Sequence, residues 1–165
     1  MKPSEIKTLK AKKAHFLLPH FQGITWMGIV YCQREKDIED INATDKIDSN
    51  FKSHETIHVR QAQSMGNSWL RFYLNYVWQY IKNLPLIFID LYAPYKLIPT
   101  EIEAYLHQDD WTYAEEALPL TQWRAFQTIL SYKDKKEIAI NYARKHKLYP
   151  RVLKEYFRDY RDASS

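Results

Sequence analysis

Two histidines stand four residues apart in the string His54-Glu55-Thr56-Ile57-His58, and a glutamate follows the first of them. In an α-helix this spacing leaves the two imidazole rings about 40° apart on one face, one turn from each other. Ring nitrogens arranged in this way can converge on a zinc ion, which they bind at about 2.0–2.1 Å. The string therefore predicts a site for one Zn²⁺ held by His54 and His58, with Glu55 beside it.

The residues around this string indicate which face of the helix is buried. Apolar residues recur on the side of the histidines, whereas polar ones recur on the opposite side, as in an amphipathic helix. We expect the histidines to be buried with Ile57, Ala62 and Met65, and we expect Thr56, Arg60, Gln63 and Asn67 to face solvent.

A catalytic zinc site normally has three protein ligands, so a further ligand is needed. Residues 61 and 64 are Gln and Ser, which excludes the extended HExxHxxGxxH pattern. Two acids, Glu101 and Glu103, follow about forty residues downstream in a predicted helix. Thr100 and Glu103 have the spacing of a capping box, which would occupy Glu103 and favours Glu101 as the ligand. Glu103 and His107, which share a helix face, remain alternatives.

The HExxH string followed by Glu101-Ile102-Glu103-Ala104 resembles the gluzincin branch of zinc metallopeptidases, and the match covers about residues 50–109. The continuation after His58 and the Glu-x-Glu-Ala-Tyr string are similar to small bacterial metallopeptidases of this type. The resemblance implies that His54, His58 and Glu101 are zinc ligands and that Glu55 is the general base. It also implies a peptide or protein substrate that is hydrolysed by a zinc-activated water.

The sequence departs from the gluzincin pattern at Tyr105, where these enzymes commonly have an Asp that orients a ligand histidine. A phenol can replace that carboxylate only in part, and loss of such support weakens metal sites by about 10–100-fold. The alternative function is therefore a catalytically weak or inactive zincin-fold binding protein. The candidates to stabilise an oxyanion are Tyr73, Tyr76, Tyr105 and His107, and the sequence does not choose among them.

The elements that position these residues are predicted to be mainly helical. Only three glycines occur in 165 residues, which suits helices better than tight β-turns. We expect a predominantly helical α+β protein, a single zincin-like domain over 1–165 with a small N-terminal β element. Helices are predicted at about 4–14, 50–65, 68–83, 99–116, 120–132, 134–146 and 150–161, strands at about 15–18 and 24–33, and a surface connection over 34–50.

Composition limits the partners and the compartment. The net charge of +4 is mild, and the lysines do not alternate with aromatics, so we expect no nucleic-acid partner. No signal peptide or membrane span is recognisable, so we expect a cytoplasmic protein. Cys32 lies in an apolar run and is expected to be a buried thiol. The sequence specifies no oligomeric state. Aromatic residues recur at helical intervals and form an aromatic stripe, which consists of Trp69, Phe72, Tyr73, Tyr76, Trp78 and Tyr80. We interpret this stripe as part of the core, with peripheral membrane contact as the alternative.

Overall fold

The computed structural model describes residues 1–15, 22–115, 122–145 and 149–164. Most of them are helical, and the strands form one small sheet, which confirms the expected α+β class in which helix predominates. The strands are β1 (Lys10–Lys13), β2 (Gly23–Trp26) and β3 (Ile29–Cys32). The helices are α1 (Glu35–Ala43), α2 (Asn50–Ser64), α3 (Trp69–Asn83), α4 (Ala93–Lys96), α5 (Pro99–His107), α6 (Trp111–Glu115), α7 (Gln122–Ile129), α8 (Tyr132–Lys145) and α9 (Tyr149–Ser164), with 3₁₀ turns at Pro3–Glu5 and Leu84–Phe88.

The sheet has the order β1-β3-β2, with β1 parallel and β2 antiparallel to β3. The predicted strand at 24–33 is in fact a hairpin, because Met27 and Gly28 adopt φ values of 52° and 84° and reverse the chain in two residues. Val30 and Cys32 of β3 are buried, so this strand carries the apolar side of the sheet. The expectation of a buried Cys32 is confirmed.

The predicted N-terminal helix over 4–14 is wrong. Leu9 and Ala11 are buried while Lys10 and Lys12 are exposed, and this alternation belongs to a strand that pairs with β3. Pairing with the neighbouring strand decided the conformation of this segment. The predicted strand at 15–18 lies, except for His15, outside the described residues.

The predicted surface connection over 34–50 is also wrong in part, because it contains helix α1. Ile41 of this helix is fully buried. Asn42 accepts a hydrogen bond from the backbone N–H of Ala11 at 2.9 Å and donates one to its carbonyl at 3.1 Å. The helix therefore covers strand β1 and satisfies backbone groups that an edge strand would otherwise leave to solvent.

The predicted helix over 99–116 is interrupted after His107. Asp110 accepts hydrogen bonds from the Thr112 hydroxyl at 2.6 Å and from the Tyr113 backbone N–H at 3.3 Å. These contacts cap a new helix, α6, because a carboxylate before the first turn satisfies its exposed N–H groups. The start of the helix expected at 120–132 lies outside the described residues, and α7 begins at Gln122.

The described residues form two compact units. The first comprises Met1–Phe72 and the segment that begins at His107, and it contains the sheet, α1, α2 and α6. The second comprises Tyr73–Leu106 and the described residues from 122 onwards. Its core combines α4, α5, α7, α8 and α9 around Leu86, Ala93, Leu97, Ile102, Phe126, Leu130, Ile138, Ala139, Val152, Leu153 and Phe157. The single domain over 1–165 stays a prediction.

Among the described residues, no helix combines the length and the apolar character that crossing a membrane requires.

Candidate metal centre

Helix α2 carries both histidines of the HExxH string. It begins after Ser49, whose hydroxyl accepts a hydrogen bond from the Lys52 backbone N–H at 3.2 Å and so caps the first turn. His54 and His58 are both buried, as are the predicted inner residues Ile57, Ala62 and Met65. The inward orientation of the histidines is confirmed.

The opposite face of α2 is less exposed than predicted. Thr56, Arg60, Gln63 and Asn67 are all half-buried. Arg60 donates a hydrogen bond to the Ala114 carbonyl of α6 at 3.3 Å, and Gln63 donates one to the Pro3 carbonyl at 3.1 Å. Two distant segments therefore cover this face, which sequence periodicity alone does not reveal.

The two histidine rings point their Nε2 atoms at each other, 3.2 Å apart. Two nitrogens that bind one tetrahedral zinc at about 2.0–2.1 Å would be about 3.3–3.4 Å apart. The ring planes meet at 86°, so the two nitrogens approach a common point from different directions. This pair of donors fits a small tetrahedral cation.

Gln61 orients the second histidine. Its Oε1 lies 2.8 Å from His58 Nδ1, and its side chain is fully buried. As an acceptor, Oε1 holds the proton on Nδ1 and leaves the Nε2 lone pair for a metal. The sequence analysis considered Gln61 only as the residue that excludes the metzincin pattern. Its spacing of three residues from His58, which places both on one helix face, could have identified it.

Glu55 is buried beside the histidines and is held by strand β2. The Thr25 hydroxyl donates a hydrogen bond of 2.6 Å to Glu55 Oε2. Burial first, and then the negative charges of Glu55 and Asp37, raise the pKa of the Cys32 thiol to about 12. This thiol stays protonated at neutral pH and is an inert neighbour of the glutamate.

Helix α5 carries the predicted third ligand. It begins at Pro99, so Thr100 lies inside the first turn, and the predicted capping box with Glu103 is wrong. Glu101 is buried, and the Tyr76 hydroxyl donates a hydrogen bond of 2.8 Å to its Oε1. Burial, followed by the negative charge of Glu101, raises the pKa of Tyr76 well above its ordinary value. Tyr76 therefore stays protonated as the donor that holds this carboxylate.

His54, His58 and Glu101 each offer one ligand atom, and these atoms all lie within 4.8 Å of one another. Among the described His, Cys, Asp and Glu residues, these three form the group that is close enough to hold one metal ion. The group includes neither Glu103 nor His107. Two imidazole nitrogens and one carboxylate oxygen form a common donor set for catalytic zinc. The residues present therefore fit the ion that the sequence predicts.

Three further residues were considered for the site: Glu103 and His107 as alternative ligands, and Tyr105 at the position where gluzincins commonly have an Asp. Glu103 is fully buried in α5. Tyr105 accepts a hydrogen bond from the Lys96 ammonium group, which also lies 4.4 Å from the centre of its ring. The His107 ring stacks on Tyr113, with ring centres 3.8 Å apart. Of the residues considered as oxyanion donors, Tyr76 instead holds Glu101.

Comparisons with protein-family models, with curated proteins and with solved structures give no match.

The chemistry of this arrangement follows from its donors. Two neutral imidazoles and one carboxylate leave a divalent cation with a net charge of about +1, enough to polarise a carbonyl group or a water molecule. A second buried carboxylate, that of Glu55, follows the candidate ligand His54 directly in sequence. Such a carboxylate is suited to accept a proton.

Proposed function

We propose that this chain is a zincin-like zinc metallopeptidase that hydrolyses peptide bonds in a peptide or protein substrate. The observation that carries the proposal is the approach of the His54, His58 and Glu101 ligand atoms to within 4.8 Å of one another. The resemblance of the same residues to the gluzincin pattern supports it. One Zn²⁺ ion is the proposed cofactor.

His54, His58 and Glu101 would hold the ion, and Gln61 and Tyr76 would orient two of these ligands. A bound zinc would supply a Lewis acid for the scissile carbonyl and lower the pKa of its water to about 7. Glu55 would accept the proton of the attacking water and deliver it to the leaving amine. The Thr25 hydrogen bond to Oε2 keeps this carboxylate in one orientation and leaves Oε1 for the proton.

A second candidate function is a zinc-binding protein with weak or no catalysis. This function is favoured by the hydrogen-bond partner of His58, because that partner is the neutral amide of Gln61 and not a carboxylate. An amide increases the basicity of an imidazole less than a carboxylate does. The two functions share the same ligands and differ in turnover.

The first test compares two isosteric changes on helix α5, Glu101→Gln and Glu103→Gln. Both side chains are buried, so their effects on folding should be similar. We expect Glu101→Gln to weaken zinc affinity by at least about tenfold and Glu103→Gln to leave it unchanged, measured by competition with a chelating dye. Wild-type protein that binds no zinc, or equal affinities for the two variants, would contradict the proposed site.

The second test concerns the proton acceptor. Glu55→Gln removes the basic carboxylate but keeps its shape and leaves the three ligands in place. We expect this variant to bind zinc as the wild type does and to hydrolyse a broad peptide library about 10²–10⁴-fold more slowly. Zinc binding without turnover in the wild type would favour the binding protein instead.

A further inference from the structure

Helix α3 exposes its apolar side and buries polar side chains. Gln79 and Asn83 are buried, and Asn83 donates a hydrogen bond of 3.1 Å to the Pro94 carbonyl. A helix that faces water normally has the opposite pattern. Of the aromatic stripe predicted to be core, Trp69 and Phe72 are buried, but Trp78 is 59% exposed and Tyr80 is 37% exposed, so that prediction is wrong for Trp78 and Tyr80.

The exposed apolar side continues beyond α3 into the 3₁₀ turn at Leu84–Phe88. Phe88 is 91% exposed, the highest value among the large hydrophobic residues that are described. We call the whole the α3 surface, and it consists of Leu74, Val77, Trp78, Ile81, Leu84, Ile87, Phe88 and Leu91. All of these residues belong to the second unit.

The α3 surface has almost no polar groups. Eleven residues between 74 and 91 are exposed, and Lys82 is the only one of them that is charged. Surfaces that bind another protein reversibly are only about 56–58% non-polar and carry hydrogen-bonding groups at their rim. A lipid bilayer needs no such groups, and Trp, Phe and Leu beside Lys are typical of helices that lie in its headgroup region.

The net charge of the second unit also favours a lipid bilayer, one with an anionic surface. Residues 73–106 and 121–165 contain thirteen Lys and Arg and eight Asp and Glu, which gives a formal charge of +5. The rest of the chain contains eleven basic and twelve acidic residues, a formal charge of −1. The unit with the exposed apolar side is therefore the basic one, which favours an anionic membrane.

We propose that the α3 surface binds the face of an anionic phospholipid bilayer, with Trp78 and Phe88 inserted among the lipid headgroups and Lys82 beside the phosphates. The chain would then be bound at a membrane surface. This proposal does not depend on zinc or on hydrolysis.

The test is sedimentation of the full chain with vesicles of phosphatidylcholine alone or mixed with phosphatidylglycerol. We expect binding to the mixed vesicles that weakens with added salt, and weaker binding to phosphatidylcholine alone. The double variant Trp78→Ser, Phe88→Ser should bind about 100-fold more weakly. Trp26→Ser is the matched control, because Trp26 is 52% exposed but lies in the first unit, and it should bind as the wild type does.

Lys82→Glu provides a second variant that keeps the apolar residues. It should weaken binding to mixed vesicles by about tenfold or more and leave binding to phosphatidylcholine unchanged. Absence of wild-type binding to any vesicle, or equal binding by the wild type and the double variant, would overturn the proposal. A further outcome would also overturn it: the wild type binds no vesicles and forms a dimer in sedimentation equilibrium, and the double variant is a monomer. In that case a second copy of the chain would cover the α3 surface.

Discussion

At the scale of single residues, the candidate site is organised by uncharged groups that hold charged side chains or the proposed metal ligands. Gln61 contacts the His58 ring, Tyr76 donates to Glu101, and Thr25 donates to Glu55. Each contact fixes one orientation of a side chain that could otherwise rotate. A site prepared in this way needs little reorganisation when a metal binds.

Replacement of Gln61 tests this arrangement directly. Gln61→Met keeps the volume of the side chain but removes the acceptor for His58 Nδ1, so the ring loses its fixed tautomer. We expect zinc affinity to fall by about 10–100-fold in a chelator competition experiment.

Gln63→Met is the matched control, because Gln63 lies on the same helix and donates to the Pro3 carbonyl away from the histidines. We expect it to keep wild-type zinc affinity. An equal loss in both variants would indicate a general effect on α2, and no loss in Gln61→Met would contradict the orienting role.

At the scale of elements, the β2–β3 hairpin determines where Thr25 stands. Thr25 pairs with Val30 of the neighbouring strand, so the two-residue turn sets the register that brings its hydroxyl to Glu55. Gly28 occupies this turn with φ of 84°, a conformation that costs other residues about 1–2 kcal/mol. A short turn thus positions a group that contacts the proposed general base.

A substitution in this turn that disfavours a positive φ should lower the stability, and one that favours a positive φ should raise it. Gly28→Ala adds a Cβ in a left-handed conformation and only 2.0 Å from Ile6 Cδ1, so Ile6 must move. We expect the free energy of unfolding in urea to fall by about 1–2 kcal/mol. Met27→Asn should instead raise it by about 0.5 kcal/mol, because Asn tolerates the positive φ at this position better than Met. A loss in both variants would contradict the turn assignment.

At the scale of the whole molecule, stability includes the cost of a buried charge in the second unit. Lys135 is buried in α8 and donates a hydrogen bond of 2.9 Å to Asn83 Oδ1. Burial, and to a smaller extent the charge of Lys82, lowers the pKa of Lys135 from 10.5 to about 8. At neutral pH the protonated ammonium group therefore destabilises the folded state relative to the unfolded one.

This cost should disappear in alkaline solution. The unfolded chain holds the Lys135 proton up to pH 10.5, whereas the folded chain releases it near pH 8. Because the unfolded state binds more protons in this window, the free energy of unfolding rises with pH, by up to about 3 kcal/mol. Lys135→Met should lack this rise in urea unfolding at pH 7 and pH 10.5, and the exposed neighbour variant Lys133→Met should keep it. Parallel pH profiles for all three proteins would contradict the assignment.

The sequence by itself was sufficient for features that depend on nearby residues. The four-residue spacing of His54 and His58 placed them on one helix face, and α2 buries that face. The predominance of helix followed from periodicity and from the scarcity of glycine. These predictions succeeded because helical geometry relates residues three and four apart in any context.

Tertiary structure alone decided the features that depend on distant partners. Strand β1 forms because Ala11 pairs with Val30, although a helix was predicted there. The hydrogen bond between Thr25 and Glu55 could not be predicted, because 30 residues separate the two. The same holds for Tyr76 and Glu101, which are 25 residues apart. The exposure of Trp78 was likewise unpredictable, since periodicity shows that a helix has an apolar side but not whether another part of the chain covers it.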